Sequence, residues 1–344
     1  MSEIRQNLLT GEWVIIAPER GKRPANVTRP AEKPIVSSHS ATCPFCPGNE
    51  NMVTDERFRI SDAGGRWLIR SVVNRFSVLS VNSHVETHEN GINQNPPGLR
   101  NQVPGVGLHE VIIEHPRHDL TPARYTFSHI QDLLGVYLNR FVEFAEDRRV
   151  KHVIVFKNHG EEAGASQQHP HSQIVGLPIV PGQIFERIGR SRRFHRDNGV
   201  CLSCRMIEEE CRENTRLIEE NEAFVAIIPF AALSPFHLWI FPKRHKACFS
   251  HTQPDERHLL ASILHRVLGR VYTALDNPAY NLVIRSLTPA EGNSLSFHWY
   301  ISLVPRVGKL AGFELGTGMF VNSSSPEASA ATLKQASLPP EEPA

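Results

Sequence analysis

Two stretches of the chain run through the same succession of apolar and polar positions. In the first, the apolar run HEVIIEHPRH ends on a basic turn at His118; in the second, HLWIFPKRH ends in the same way at His245. A short, nearly continuous apolar run closed by turn residues predicts a buried strand. About ten residues further on, the spacing changes to threes and fours, with Phe127, Ile130, Leu134, Tyr137, Leu138 and Phe141 in one copy and Leu260, Ile263, Leu264, Val267 and Val271 in the other. That period predicts an amphipathic helix in each. Ser128 with Gln131 fits a capping box, and Pro254 with Asp255 fits a helix start. Apolar strands follow at 152–158 (HVIVFKN) and 280–286 (YNLVIRS), then a polar glycine-containing loop. A second strand closes each copy, HSQIVGLP from His171 and HWYISLVP from His298, each histidine lying seven residues before a proline.

This repetition predicts a duplicated α+β protein with antiparallel sheet. The halves divide as 1–186 and 187–330, with 331–344 as a disordered Pro/Glu tail after a short helix that starts at Ser325-Pro326. The basic segment RIGRSRRFHRDNG at 187–199 reads as a solvated linker helix. With 37 Lys and Arg against 36 Asp and Glu, the charge balance argues against a surface devoted to nucleic acid or acidic lipid. The N-terminus lacks a signal-peptide core and no apolar run is long enough to span a bilayer, so a cytoplasmic enzyme or binding protein is expected.

Four of the six cysteines form C-x-x-C pairs, Cys43/Cys46 and Cys201/Cys204. In a reducing compartment such pairs point to metal or redox chemistry, and the Pro-Gly-Asn continuation of CPFCPGNE favours metal. Cys43, Cys46, His118 and His169 make a Cys2His2 set, suited to a closed, structural tetrahedral Zn²⁺. The second half offers Cys201, Cys204 and His245, with His298 as the expected fourth ligand and His237 as its competitor. Aligned on the proline after each strand, however, His298 matches His171 and Ser296 matches His169.

The segment SQQHPHSQI places His169 and His171 on either side of Pro170. Proline favours an extended path on which residues two apart share a face. With His169 assigned to metal, His171 is free to act as a nucleophile towards phosphorus. The loop before it supplies phosphate-binding groups: Asn158, the glycines Gly160 and Gly164, Ser166, and beyond the HPH, Gln173.

FKNHGEEAGASQQHPHSQ resembles the active-site segment of the galactose-1-phosphate uridylyltransferase family, in the histidine-triad superfamily. LTGEWVIIAPERGKRP at 9–24, CPFCPGNE, VVNRF at 72–76, HPRH at 115–118 and KLAGFELGTGM at 309–319 extend the resemblance over most of the chain. It implies two antiparallel half-barrel sheets with helices, and a ping-pong transfer through a nucleotidyl-His171. It also implies that Gln173 contacts the transferred group and that Asn74, Asn158, Gly164 and Ser166 hold the nucleotide. Lys309, Phe313 and Glu314 would face the sugar bound by a neighbouring subunit of a homodimer. The implied partners are a nucleotide-sugar and a sugar 1-phosphate or phosphate, and the implied cofactor is one or two Zn²⁺ per chain. UDP-glucose with galactose 1-phosphate is the first substrate reading. Gln167-Gln168 stands where uridylyltransferases of the family carry Asn-Pro, and the second C-x-x-C resembles the branch that includes ADP-glucose phosphorylase, the alternative. A nucleotide hydrolase and a zinc protein binding RNA through the 187–196 run are further readings.

Overall fold

The apolar runs form strands, and the strands join into one sheet. The computed structural model describes residues 2–22, 36–53, 55–81, 102–309 and 311–342. The chain opens with β1 (Glu3–Gln6) and β2 (Trp13–Ile16). The first half then contributes β3 (Glu56–Ser61), β4 (Trp67–Val73), β5 (Leu108–Ile113), β6 (His152–His159) and β7 (His171–Leu177). The second contributes β8 (Leu217–Glu220), β9 (Phe224–Ile227), β10 (Leu238–Pro242), β11 (Tyr280–Arg285) and β12 (Tyr300–Pro305). These ten strands are ordered β3-β4-β5-β7-β6-β11-β12-β10-β9-β8, every neighbouring pair antiparallel. Counted inward from either edge, the connectivity is the same, as a duplication requires. The two half-sheets meet at β6 and β11, where Asn158 lies opposite Asn281.

One face of the sheet is the core. Helices α1 (Phe127–Glu146) and α4 (Pro254–Ala274) follow the third strand of each half. They bury Ile130, Leu134, Phe141, Leu260, Leu264 and Val267 against Val155, Ile174, Ile284 and Ile301. Burying such side chains contributes roughly 1.5–3 kcal/mol each. The cap of α1 is Thr126, whose hydroxyl accepts from His129 N at 3.3 Å, so the helix starts ahead of the expected Ser128 box. At α4, Gln253 and Glu256 form the box and Pro254 takes the first helical position, where its missing N–H is harmless.

The basic segment at 187–199 is helical, within α2 (Gly182–Asn198), and α3 (Leu202–Glu213) follows it. From α3, Leu202 and Ile207 pack on Trp239, Phe241 and Tyr300 on the face away from α1 and α4. Near the end, α5 (Gly312–Thr317) leads to β13 (Phe320–Asn322), which pairs parallel to β2 and completes a small sheet, β1-β2-β13. Ser325 caps α6 (Pro326–Gln335).

The tail expected to be disordered from 331 is ordered through Glu342. Ala330 and Leu333 are fully buried in the main core, and the Glu342 carboxylate pairs with Arg117 and Arg124. The Pro/Glu-rich composition conceals these few anchoring positions. Among the described residues, no helix is long and apolar enough to cross a membrane.

Candidate active site and metal centres

The first C-x-x-C lies in a run of turns, His118 follows β5, and His169 immediately precedes β7. Their ligand atoms, one from each of Cys43, Cys46, His118 and His169, all lie within 4.8 Å of one another, and all four residues are buried. Cys46 Sγ is 3.4 Å from His118 Nδ1 and 3.5 Å from His169 Nδ1. A tetrahedral zinc with its usual bond lengths places sulfur and nitrogen ligands about 3.5 Å apart, so the cluster fits that ion. The opposite ring nitrogens are engaged as metal-binding imidazoles require: His169 Nε2–H donates to His115 O at 2.7 Å, and the Gln168 side chain hydrogen-bonds His118. Burial pushes the Cys43 thiol up to about 11. A cation would reverse that shift by bonding the thiolate.

Cys201, Cys204, His245 and His298 form an equivalent second cluster. Cys204 Sγ lies 3.2 Å from His245 Nδ1 and 3.4 Å from His298 Nδ1. His298 Nε2–H donates to Pro242 O, three residues before His245, as His169 donates to the carbonyl three residues before His118. His298 is therefore the counterpart of His169, and the proline-based alignment with His171 is corrected. The competitor His237 instead bonds Ser302 and Trp239. Two residues past His298 stands Tyr300, fully buried between Trp239 and Phe241. The second half thus repeats the metal cluster without repeating the histidine that follows it.

His171 opens β7. Its Nδ1 lies 2.8 Å from the carbonyl oxygen of His169. A carbonyl only accepts, so Nδ1 carries the proton and the Nε2 lone pair is left for chemistry. Burial, with Lys157 nearby, lowers the pKa of His171 and keeps the ring neutral. Beneath it, Lys157 Nζ donates to His171 O at 3.0 Å and to Glu114 Oε2 at 2.8 Å, while Tyr137 donates to the other carboxylate oxygen. The sequence reading missed this buried ion pair, though Lys157, the one charge inside the apolar run HVIVFKN, was a signal.

The loop from β6 to β7 is shaped for an anion. Gly160 and Gly164 adopt φ of 80° and 87°, a region that side-chain-bearing residues rarely enter, and a Cβ on Gly160 would strike Ala279. Asn281 donates to Asn158 Oδ1 at 2.7 Å and to Ala163 O at 2.9 Å. This leaves the Asn158 amide NH2 as a donor, near Gly164. Ser166 is exposed on the same loop.

Gln173, one turn of the pleat beyond His171, has its Oε1 2.9 Å from His109 Nε2. His109 Nδ1 accepts from Val78 N, so Nε2–H is the donor and the Gln173 NH2 is turned outward. Asn74 lies 3.0 Å from the same ring and accepts from Phe76 N. His109 and Asn281, which bond Gln173 and Asn158, were not revealed by local spacing, because both reach across strands.

Lys309, Phe313 and Glu314 belong to the segment around α5, which packs on β13. Phe313 is exposed, and Glu314 accepts from Ala311 N at the start of α5. Among the described residues, no hydrogen bond joins these three to the His171 cluster. Of the expected motifs, Arg23, Pro24 and Leu310 lie outside the described residues.

A duplicated antiparallel sheet that sets His171 beside a Cys2His2 cluster fits a nucleotidyltransferase. A family model, "Galactose-1-phosphate uridyl transferase, N-terminal domain", matches residues 1–181, and a domain of unknown function (DUF4921) matches residues 128–336. An ADP-glucose phosphorylase of Arabidopsis thaliana is 32% identical, the match covering 98% of this chain and 93% of that protein. A galactose-1-phosphate uridylyltransferase of Thermotoga maritima is 26% identical over 97% and 98% of the two chains. The crystal structure of an Arabidopsis thaliana ADP-glucose phosphorylase with bound ADP-glucose superposes with a TM-score of 0.83 at 31% identity, covering 98% of this chain and all of that one. A uridylyltransferase structure gives 0.72 at 26% identity, with 97% of each chain covered. The chain belongs to the galactose-1-phosphate uridylyltransferase family, and it is an enzyme, a nucleotidyltransferase.

Proposed function

We propose that the chain transfers a nucleoside monophosphate from a nucleotide-sugar to a phosphate-bearing acceptor through a covalent intermediate on His171. The observation that carries this is the His171 tautomer, fixed by the His169 carbonyl so that Nε2 presents a lone pair. Nε2 attacks the α-phosphorus, forming a P–N bond as the bond to the departing sugar 1-phosphate oxygen breaks. An acceptor oxygen then displaces the imidazole, which leaves neutral. Asn158, Gly164, Ser166 and Gln173 donate to the phosphoryl oxygens in both steps, and Asn74 holds the nucleoside.

Zn²⁺ at both Cys2His2 clusters would anchor the His169 and His298 segments, with no step passing through the metal. Among donors, the reading favours ADP-glucose with inorganic phosphate. It rests on the 32% identity and the 0.83 TM-score to proteins named ADP-glucose phosphorylase. UDP-glucose with galactose 1-phosphate is the second reading, supported by the family model and the uridylyltransferase relatives. A homodimer in the cytoplasm would bring Lys309, Phe313 and Glu314 to a partner's sugar.

The deciding experiment is a product screen. ADP-glucose and UDP-glucose are each supplied with phosphate or galactose 1-phosphate, and the nucleotide products are separated. ADP from ADP-glucose and phosphate is the expected product. UDP-galactose formed faster than ADP would select the second reading, and sugar-phosphate-independent release of AMP would select a hydrolase.

A further inference from the structure

The row of the sheet that carries His171 continues into the second half. Asn158 stands opposite Asn281, whose Oδ1 accepts from Arg306 Nε at 2.5 Å. On the same face, Ile154, Phe156 and Val283 are only half-buried, so this is the floor of an open cleft and not core. Three strand steps separate β7 from β12, about 14 Å at the usual spacing.

The far wall of that cleft holds cations without counter-charge. Arg187, from α2, donates to Tyr300 Oη at 2.9 Å, and Tyr300 lies opposite Arg285 in the ladder of β11 and β12. Ser302, two residues on, bonds His237 Nε2 at 3.0 Å. The charges that act on His237 are Arg187, Arg285 and Arg306, and among the described residues no carboxylate acts on His237, or on Arg285 apart from the Tyr300 phenol. Burial and these guanidiniums lower His237 to about 3, so its ring is neutral.

Two orphan donors face this wall. Trp239 Nε1–H donates to His237 Nε2, which places the ring proton on Nδ1. That Nδ1 is buried without a partner among the described residues, and so is Arg285 Nε. His237 itself is only 4% exposed. A buried donor left unpaired costs about 1–3 kcal/mol, and an unpaired charge costs more. A wall built of donors and guanidinium forks, with no acceptor of matching charge, suits a multiply charged oxyanion.

We propose that Arg187, Arg285, Arg306 and His237 form a binding site for a phosphate-class oxyanion at the C-terminal end of the His171 cleft. The anion is inorganic phosphate or the phosphoryl group of a sugar 1-phosphate. Its role as the gathered acceptor of the second half-reaction rests on the function proposed above; its binding does not.

The test uses the full chain in nucleotide-free buffer, titrated calorimetrically with inorganic phosphate and separately with glucose 1-phosphate. At least one should bind the wild type, and Arg285→Met should weaken that binding by about tenfold or more, with Arg285→Lys intermediate. Arg187→Met, on a different element, should weaken it in the same direction. In parallel, Arg285→Met should still load nucleotide onto His171 but need about tenfold more acceptor for half-maximal discharge, because the anion held three strands away feeds the transfer step without being its attacking oxygen. The loading step also shows that the variant is folded. Which titrant binds and discharges identifies the source of the anion. Absence of binding to the wild type by either, or equal binding by wild type and both methionine variants, would overturn the site. Failure of the wild type to load His171 would contradict the proposed function alone, while the titration still decides the anion site.

Discussion

His171 Nδ1 lies 2.8 Å from the carbonyl oxygen of His169, whose own Nδ1 faces Cys46. One peptide segment therefore joins the metal cluster to the lone pair proposed to attack phosphorus. Moving a reacting group by about 1 Å costs on the order of a hundredfold in rate. His169→Ala, which releases the segment from the metal, should lower the loading of His171 by about that factor and reduce metal content by one ion per chain. Loading at the wild-type rate with one metal lost would separate the two sites.

The Glu114–Lys157 pair carries a pH dependence of known sign. Burial alone would raise the Glu114 carboxyl, but Lys157 and the Tyr137 hydroxyl outweigh it and hold the group below the usual carboxylate range. A folded value below the unfolded one stabilises the protein fully above the ordinary carboxylate pKa, about 4.3, and the gain is lost as pH falls through the folded value. Glu114→Gln leaves Lys157 buried without a counter-charge and should cost about 3–5 kcal/mol at neutral pH. Chemical denaturation at pH 7 and at pH 4 measures both effects, and the wild type should approach the variant at the lower pH.

His109 positions Gln173 without touching the reacting atoms in this geometry. His109→Ala should lower kcat by about ten- to a hundredfold with metal content unchanged. His109→Gln, which keeps a donor near Gln173, should recover part of the loss. A variant that changes thermal stability but not the kcat would reduce His109 to a packing residue.

The second cluster lies in the half that carries Tyr300 where the first carries His171. Cys204→Ser should remove one metal ion and lower the melting temperature while His171 still loads with nucleotide. Elemental analysis beside a melting curve checks this, and two ions per wild-type chain are expected.

The duplicated order of strands and helices was readable because each element carries its own period, as the buried faces of α1 and α4 show. Both metal clusters were readable because C-x-x-C is a local spacing and each histidine ends or begins an apolar run. His298 was chosen over His237 from the sequence, but its match to His169 needed the fold: a proline seven residues downstream marks the strand end, whereas the shared bond to a carbonyl three residues before the other histidine, Pro242 O here, aligns the two. His109, Asn281 and the Glu114–Lys157 pair were hidden for a different reason, since each meets its partner from another strand. The tail was misread because a few positions, Leu333 in the core and Glu342 on Arg117 and Arg124, anchor a sequence of otherwise disordered composition.

The central claim is the covalent nucleotide on His171. Brief incubation of metal-replete protein with ADP-glucose, and in parallel with UDP-glucose, followed by digestion and mass spectrometry, reads it directly. The account predicts an acid-labile nucleoside monophosphate on the peptide containing His171, absent from His171→Ala. Turnover of either donor with no adduct on that peptide, or an adduct that persists in His171→Ala, would contradict it.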